Sequence, residues 1–280
     1  PDTVEIGLML PYTPLHHLLL AAFAAAVGPK RPAALVMTSG NAGGEPICLG
    51  NREALKRLGG IADIFLLHNR DILIRTDDSV VRPLTPEEAP EGGDAPPTLF
   101  LRRARGYVPA PVSLPAAGPS VVGLGPMLKA TLCVSKGRDA FVSQHVGDLE
   151  SLETFGFYQE TLQHMLGVLR VTPTACVADL HPDYPSTRFA LEQEQWPVLR
   201  LQHHVAHIYA VLAEHGLRQP VLGLALDGTG LGEDGTLWGG EGLLVDPQRL
   251  CHERLAHFSP MRLPGGDAAV REPWRTAQAC

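Results

Sequence analysis

The hexapeptide QHHVAH, residues 202 to 207, places three of the chain's 12 histidines within five positions. On a helix, His203 and His207 stack on one face because they are four residues apart. Neutral imidazole nitrogens are good ligands for zinc or iron, so the pair suits a divalent transition metal. An oxygen ligand would complete such a set. Asp227 is the preferred third ligand, since it ends the apolar run VLGLALD and opens a glycine turn; Asp179 ends the earlier run ACVAD. The ends of adjacent parallel strands converge on one crevice. His204 is expected to point away and serve as a hydrogen-bonding surface residue. Taken alone, the histidine pair fits core and cap roles as well as ligation.

The turn DGTGLGEDG (227–235) holds four glycines in nine residues. Gly228, Thr229, Gly230 and Gly232 could bring backbone amides close to an anion, as phosphate nests do. An ordinary β-hairpin with an acidic tip reads equally well. Gly239 and Gly240 of WGGE suit close backbone contact, and a purely structural reading is as fair. No GKS or GKT follows, and no G-x-G-x-x-G opens a helix. In VMTSGN, Ser39 and Asn41 could bond phosphate oxygens or a ribose, although such a segment is more often just a turn. RRARGYVP (102–109) concentrates arginines whose forks match phosphate geometry. The same residues fit a solvated edge strand. Arg75 and Arg82 bracket Asp77 and Asp78, a mixture that salt bridges would also explain. With no S-x-x-K and no G-x-S-x-G elbow, group transfer here would rest on positioned phosphates and a metal, not a covalent enzyme intermediate.

The elements that must hold these residues follow from periodicity. VEIGLMLP, AALVMTS, ADIFLLHN, ILIRTDDSVVRPL and TLFLRRARGYVP read as strands, with helices at 14–28 and 51–59. TPEEAPEGGDAPP (85–97) reads as a surface excursion. PAPVSLPAAGPS (109–120), with four prolines in twelve residues, reads as an inter-domain linker. Beyond it come VVGLG, TLCVSKG and DAFVSQHVG as three short strands. Next is an amphipathic helix at 151–170 with Leu152, Phe155, Tyr158, Leu162, Met165, Leu166 and Leu169 along one side. A strand at 175–180, a helix at 186–193, a strand at 198–202 and a helix at 204–215 follow. This is the layout of one lobe of an α/β, actin-like phosphotransferase fold, with a second lobe starting near 221 and unfinished at 280.

Composition excludes several classes. The 280 residues are 45% apolar and 19% charged, as expected of a globular chain with one or two domains. A net charge of −7 weighs against wholesale capture of nucleic acid. Five scattered cysteines, none in C-x-x-C, argue against a disulfide scaffold and a zinc knuckle. The longest apolar run, LHHLLLAAFAAAV, is short for a membrane span. A secretory signal is not supported, and a cytoplasmic setting is expected.

Taken together, GLMLPYTPLHHLLL, VMTSGNAGGEPI, RRARGYVP, ADLHPDYPST, QHHVAHIYAVLAEHG, LDGTGLGEDGTLWGGE and PGGDAAVREPWR resemble the central part of the HypF family of hydrogenase maturation carbamoyltransferases. The resemblance covers nearly the whole chain. It implies the C-terminal part of a YrdC-like adenylating domain at 1–108, a linker at 109–120 and a Kae1-like domain of actin fold at 121–280. It also implies ATP with Mg2+, carbamoyl phosphate as donor and a carbamoyl-adenylate intermediate. The acceptor would be the C-terminal cysteine of a partner protein, HypE, on the route to the cyanide ligands of [NiFe] hydrogenase. Carried onto this sequence, Ser39 and Asn41 would contact nucleotide phosphates, with Arg75 and Arg105 as further contacts. His203, His207 and Asp227 would hold Fe2+ or Zn2+, Gly228, Gly230 and Gly232 would approach the nucleotide, and Lys129 would meet a phosphate. Antibiotic-tailoring O-carbamoyltransferases carry the two modules in the opposite order, and tRNA-threonyladenosine enzymes carry them on separate chains. A nucleic-acid-binding YrdC-like module and a scaffold that only docks HypE are the other readings. Complete family members carry an acylphosphatase-like module, a zinc-finger region and a late aspartate that are not in this sequence, so it is expected to be one portion of a larger protein.

Overall fold

A computed structural model describes residues 5–85, 87–88 and 98–279. The excursion expected at 85–97 lies almost wholly outside them, as does Cys280. The chain forms two compact units, Pro1–Gly40 and Asn41–Cys280. In the first, α1 (Pro14–Val27) begins after Thr13, whose hydroxyl accepts the His16 N–H. Pro14 sits in the first turn, where its missing N–H costs nothing, and Gly28 ends the helix at φ 77°. No described helix is long and apolar enough to cross a membrane.

The second unit opens with α2 (Asn51–Leu58), where the Glu53 carboxylate accepts the N–H groups of Leu49 and Gly50. An antiparallel pair follows, β1 (Val80–Pro83) and β2 (Thr98–Arg102). The main sheet takes β3 (Val112–Gly118), β4 (Val121–Leu124), β5 (Leu132–Val142), β6 (Ala175–Asp179) and β7 (Val198–Leu201). Their spatial order is β3-β5-β4-β6-β7, with β4, β6 and β7 parallel and β5 antiparallel to both β3 and β4. Helices α3 (Leu152–Leu169) and α4 (Pro185–Glu192) share its core, where Val122, Leu132, Tyr158, Leu162 and Cys176 are fully buried. Phe155, Met165, Leu166 and Leu169 pack against this core as the helical spacing requires, but Leu152 stands 86% exposed at the helix start.

Helix α5 (His203–Glu214) begins a second core. Its Val205, Ile208 and Leu212 pack with Ala225 of β8 (Val221–Ala225), Trp238, and Leu243 and Val245 of the later strand Glu241–Asp246. Strands β9 (Gly230–Leu231) and β10 (Leu237–Trp238) form a short ladder within the glycine turn. Strand β11 (Glu241–Asp246) pairs on one side with β8 and on the other with β12 (Cys251–His257). A Cβ at Gly223 would fall 2.4 Å from the Ile208 side chain, so only glycine lets β8 lie this close to α5.

Three expectations are corrected. The proline-rich stretch at 109–120 is not a linker, because Val112–Gly118 is the edge strand of the main sheet. Proline is tolerated there, since an edge strand needs no ladder N–H on its outer side. The Pro115 carbonyl accepts from the Arg218 guanidinium at 2.8 Å. Secondly, TLCVSKG and DAFVSQHVG form one strand, β5, which passes Gly137 at φ 63°. Thirdly, the apolar runs before Val80 form no strand among the described residues. Ile6, Leu8, Val36, Ile64 and Leu73 are all strongly exposed, and an apolar alternation becomes a strand only where a neighbour takes its backbone bonds. Residues 75–77 are tied to the later part of the chain. Gln144 accepts the Asp77 N–H and donates to the Arg75 carbonyl, and Arg75 reaches Glu160 of α3 at 2.7 Å.

Leu162 is fully buried between α3 and the sheet. Leu162→Ala should cost about 2–5 kcal/mol in urea unfolding, and a loss below about 1 kcal/mol would mean that this face of α3 is not tightly packed.

Candidate functional site

The parallel register pairs Asp179 with Leu201, so the end of β6 lies beside the start of α5. Oδ1 of Asp179 accepts the His181 N–H at 2.8 Å, and Oδ2 lies 2.7 Å from Nδ1 of His203. The carboxylate is 7% exposed and has no proton to give when ionised, so His203 donates through Nδ1–H. Its Nε2 lone pair then faces away from Asp179. This bond raises the His203 pKa above its ordinary value, against the opposing effect of burial.

Three side-chain atoms converge beyond that ring. Nε2 of His203 and Nε2 of His207 are 3.3 Å apart, and Oδ2 of Asp227 lies 3.4 Å from the first and 3.5 Å from the second. Ligands about 2.1 Å from a tetrahedral ion are about 3.4 Å from one another. The donor set of two imidazoles and a carboxylate therefore fits a divalent ion in spacing as well as chemistry. The carboxylate behind His203 adds the outer partner that metal-binding histidines usually have. His203 is largely buried and His207 half exposed. Asp179, His203 and His207 also line an open cleft of about 490 Å³, together with Leu124, Gly125 and Cys133. Burial raises the Cys133 thiol to about 11, which keeps it protonated and a poor nucleophile.

His204 does not point to the surface as expected. It is completely buried, with Nε2 3.5 Å from Oδ2 of Asp227. Its ring is enclosed by the glycine turn, because a Cβ at Gly230 would come within 2.6 Å of His203 Cβ and 2.9 Å of His204 Cε1. Gly232 lies against Trp238, and Gly239 against the Gly228 carbonyl. These glycines let protein pack on protein; of the turn's first three, only Gly228 faces open space. Thr229 beside it is exposed.

Sequence reasoning missed the clamp that shapes this turn. Glu241 is 1% exposed and takes both Nε and Nη2 of Arg254, at 2.6 and 3.0 Å. Its Oε1 also accepts the Gly239 N–H, and Arg254 lies 4.1 Å over the Trp238 ring. Burial alone would raise the Glu241 carboxyl; the Arg254 and Gly239 bonds outweigh it and leave the pKa lowered. The glutamate in WGGE was the available signal. Arg254, thirteen residues on in an unremarked strand, gave none.

The other expected contacts are occupied differently. Arg75 donates to the Ile47 carbonyl and pairs with Glu53 and Glu160, which makes it a tie to α3. Arg105 pairs with Asp78 and donates to the Thr76 carbonyl. Arg102 pairs with Asp77, and Arg103 donates to the carbonyls of Tyr107 and Ala110. The basic run is thus spent on its own fold, which removes the basic-groove argument for nucleic acid. Asn41 donates to the carbonyls of Ala42 and Glu45, closing a turn, while its buried Oδ1 makes no bond among the described residues. Ser39 is exposed at the end of the first unit. Lys129 is exposed, with its N–H bonded to Asp148.

The Asp179 contact makes a pH prediction for the metal-free chain. A raised folded-state imidazole pKa contributes stability that is fully present below the ordinary value of 6.5 and lost as pH rises through the raised value. Asp179→Asn should therefore cost more stability at about pH 5.5 than at about pH 8.5. The burial-depressed His204 acts in the opposite sense, but it cancels between the two proteins. Equal losses at both pH values in chemical denaturation would refute the charged pair.

Three family models match the chain in sequence order. A model described as "Telomere recombination", of the Sua5/YciO/YrdC type, covers residues 1–91. "HypF Kae1-like domain" covers 116–214, and "Carbamoyltransferase, Kae1-like Domain, second subdomain" covers 223–280. Carbamoyltransferase HypF2 of Cupriavidus necator is 51% identical over 100% of this chain and 35% of its own length. Carbamoyltransferase HypF of Rhizobium leguminosarum bv. viciae is 47% identical over the same shares. A crystal structure of full-length HypF in a phosphate- and nucleotide-bound form superposes with a TM-score of 0.83 at 40% identity, covering 97% of this chain and 40% of that one. The chain thus spans about a third of the length of its curated relatives. With the YrdC-like segment ahead of the Kae1-like one, and likeness along its whole length, the chain belongs to the HypF carbamoyltransferase family.

Proposed function

We propose that this chain is the portion of an ATP-dependent carbamoyltransferase that carries its metal centre. The observation that carries the proposal is the convergence of His203, His207 and Asp227 at the spacing a divalent ion requires, beside an open cleft. The donor is carbamoyl phosphate: its hydrolysis releases phosphate and leaves carbamate, whose oxygen attacks the α-phosphorus of ATP, with Mg2+, and expels pyrophosphate to give a carbamoyl-adenylate. The acceptor is the C-terminal cysteine of HypE. In the transfer, the cysteine thiol gives up its proton and its sulfur attacks the carbamoyl carbon. The carbon–oxygen bond to AMP then breaks, leaving a thiocarbamate and AMP.

The chain's own groups divide the work. Asp179 holds Nδ1–H of His203 and so presents its Nε2 lone pair to the cluster. His207 and Asp227 complete the donor set. Fe2+ or Zn2+ held there would supply a positive charge for phosphate or carbonyl oxygens. Gly228, where an added side chain would meet nothing, and the exposed Lys129 are the groups assigned to meet an anion. Arg75 and Arg105 act through the fold, because their guanidinium groups already hold partners.

The test uses the full-length protein. Replacing His203 and His207 together with Ala should abolish iron and zinc binding in a protein that still folds, with a cooperative thermal transition lowered by the loss of the Asp179–His203 bond. Labelled carbamoyl phosphate should then no longer mark a peptide that ends in cysteine. Equal metal content in the two proteins, by elemental analysis, would overturn the assignment.

A further inference from the structure

His204 is an expensive residue to bury next to a pair of ligating imidazoles, and its surroundings define its protonation geometry. Gln202 caps α5: its Oε1 accepts the Val205 N–H at 3.0 Å. The same amide's nitrogen lies 3.3 Å from the Leu231 carbonyl, which can only accept. These two contacts fix which end of the amide is oxygen and which is nitrogen. Nε2 of Gln202 also lies 3.0 Å from Nδ1 of His204. An amide nitrogen only donates, so Nδ1 of His204 must accept. The neutral ring then carries its proton on Nε2. That nitrogen is buried and makes no hydrogen bond among the described residues. The carboxylate within reach is Asp227, with Oδ2 3.5 Å away, at the outer edge of bonding distance. Buried donors are rarely left without an acceptor.

We propose that His204 is a positioning residue: Gln202 locks its imidazole as the Nε2–H tautomer, and that N–H steers the Asp227 carboxylate toward the two ligating histidines. The carboxylates of Asp179 and Asp227 and the rings of His203 and His204 then form a relay of fixed polarity. Asp179 sets the proton of His203, Gln202 sets the proton of His204, and each leaves the nitrogen facing the centre in the state the centre needs. His203 presents a lone pair to the ion, and His204 presents a proton to the ion's carboxylate ligand. The glycine at position 230 closes the turn over both residues, since a Cβ there would fall 2.6 Å from His203 Cβ and 2.9 Å from His204 Cε1. This role rests on the metal reading above.

Two measurements on the full chain test it. In ¹⁵N-imidazole spectra of the metal-free wild type, assigned by the signal lost in His204→Gln, the His204 ring should be protonated at Nε2 and bare at Nδ1. The opposite tautomer would overturn the proposal without touching the metal reading. Gln202→Glu offers only acceptors and should reverse the tautomer, moving the proton to Nδ1. Zn2+ affinity is then read by competition with a chromophoric chelator. His204→Leu should weaken it about 10–100-fold, and His204→Gln, whose amide nitrogen can replace Nε2–H, should recover most of that loss. Gln202→Glu, which removes no atom from the site, should weaken binding as well. Wild-type affinity in His204→Leu, or equal weakening in His204→Leu and His204→Gln, would overturn the positioning role alone. A wild type that takes up no Zn2+ or Fe2+ would overturn the metal reading and this role with it.

Discussion

The bond between Asp179 and His203 organises the centre. Without it, the ring of His203 could carry its proton on either nitrogen, and the face turned toward His207 and Asp227 would be undefined. With Oδ2 only 2.7 Å from Nδ1, the proton is assigned and the ring plane is fixed. The bond exists because two parallel strands end in register, so that a carboxylate at the end of one meets the first residue of the helix that follows the other. The placement is a property of the sheet and owes nothing to a flexible loop.

Holding Asp227, the proposed third ligand, is a harder problem, because it lies on a glycine turn. Turns are soft unless something braces them. Here the brace comes from below. Arg254 grips Glu241 through two nitrogens, Glu241 takes the Gly239 N–H, and Gly239 backs onto the Gly228 carbonyl next to Asp227 itself. A buried carboxylate is tolerated in such a place only when it is paired and fully hydrogen-bonded, as Glu241 is. The ring of Trp238, under Arg254 and close against Gly232, fills the space that a side chain at position 232 would otherwise need.

Much of this could be read from the residues. The i, i+4 spacing of His203 and His207 dictates a shared face, and Asp227 could be named because it both ends a strand and begins a turn. Helices α3, α4 and α5 follow from their apolar periods. What could not be read was contact at a distance. The expectation that His204 faces outward came from helical geometry, which places it off the His203–His207 face but says nothing of what covers that other face; β8 and the glycine turn do. Arg75 and Arg105 have the right chemistry for phosphate, yet their acidic partners lie tens of residues away or on another element. The apolar runs before Val80 show the converse error, since alternation reports what a segment could pair with and not whether a neighbour is there.

The edge strand β3 also has a consequence for how the molecule behaves among other proteins. An open sheet margin is a template on which foreign chains can polymerise. Along this margin Pro115 interrupts the row of amide donors, and its carbonyl is already engaged by Arg138 of β5 and by Arg218 of the loop before β8. The prolines that look like a hinge in the sequence therefore act as a stopper, ending the sheet on that side and discouraging intermolecular strand addition.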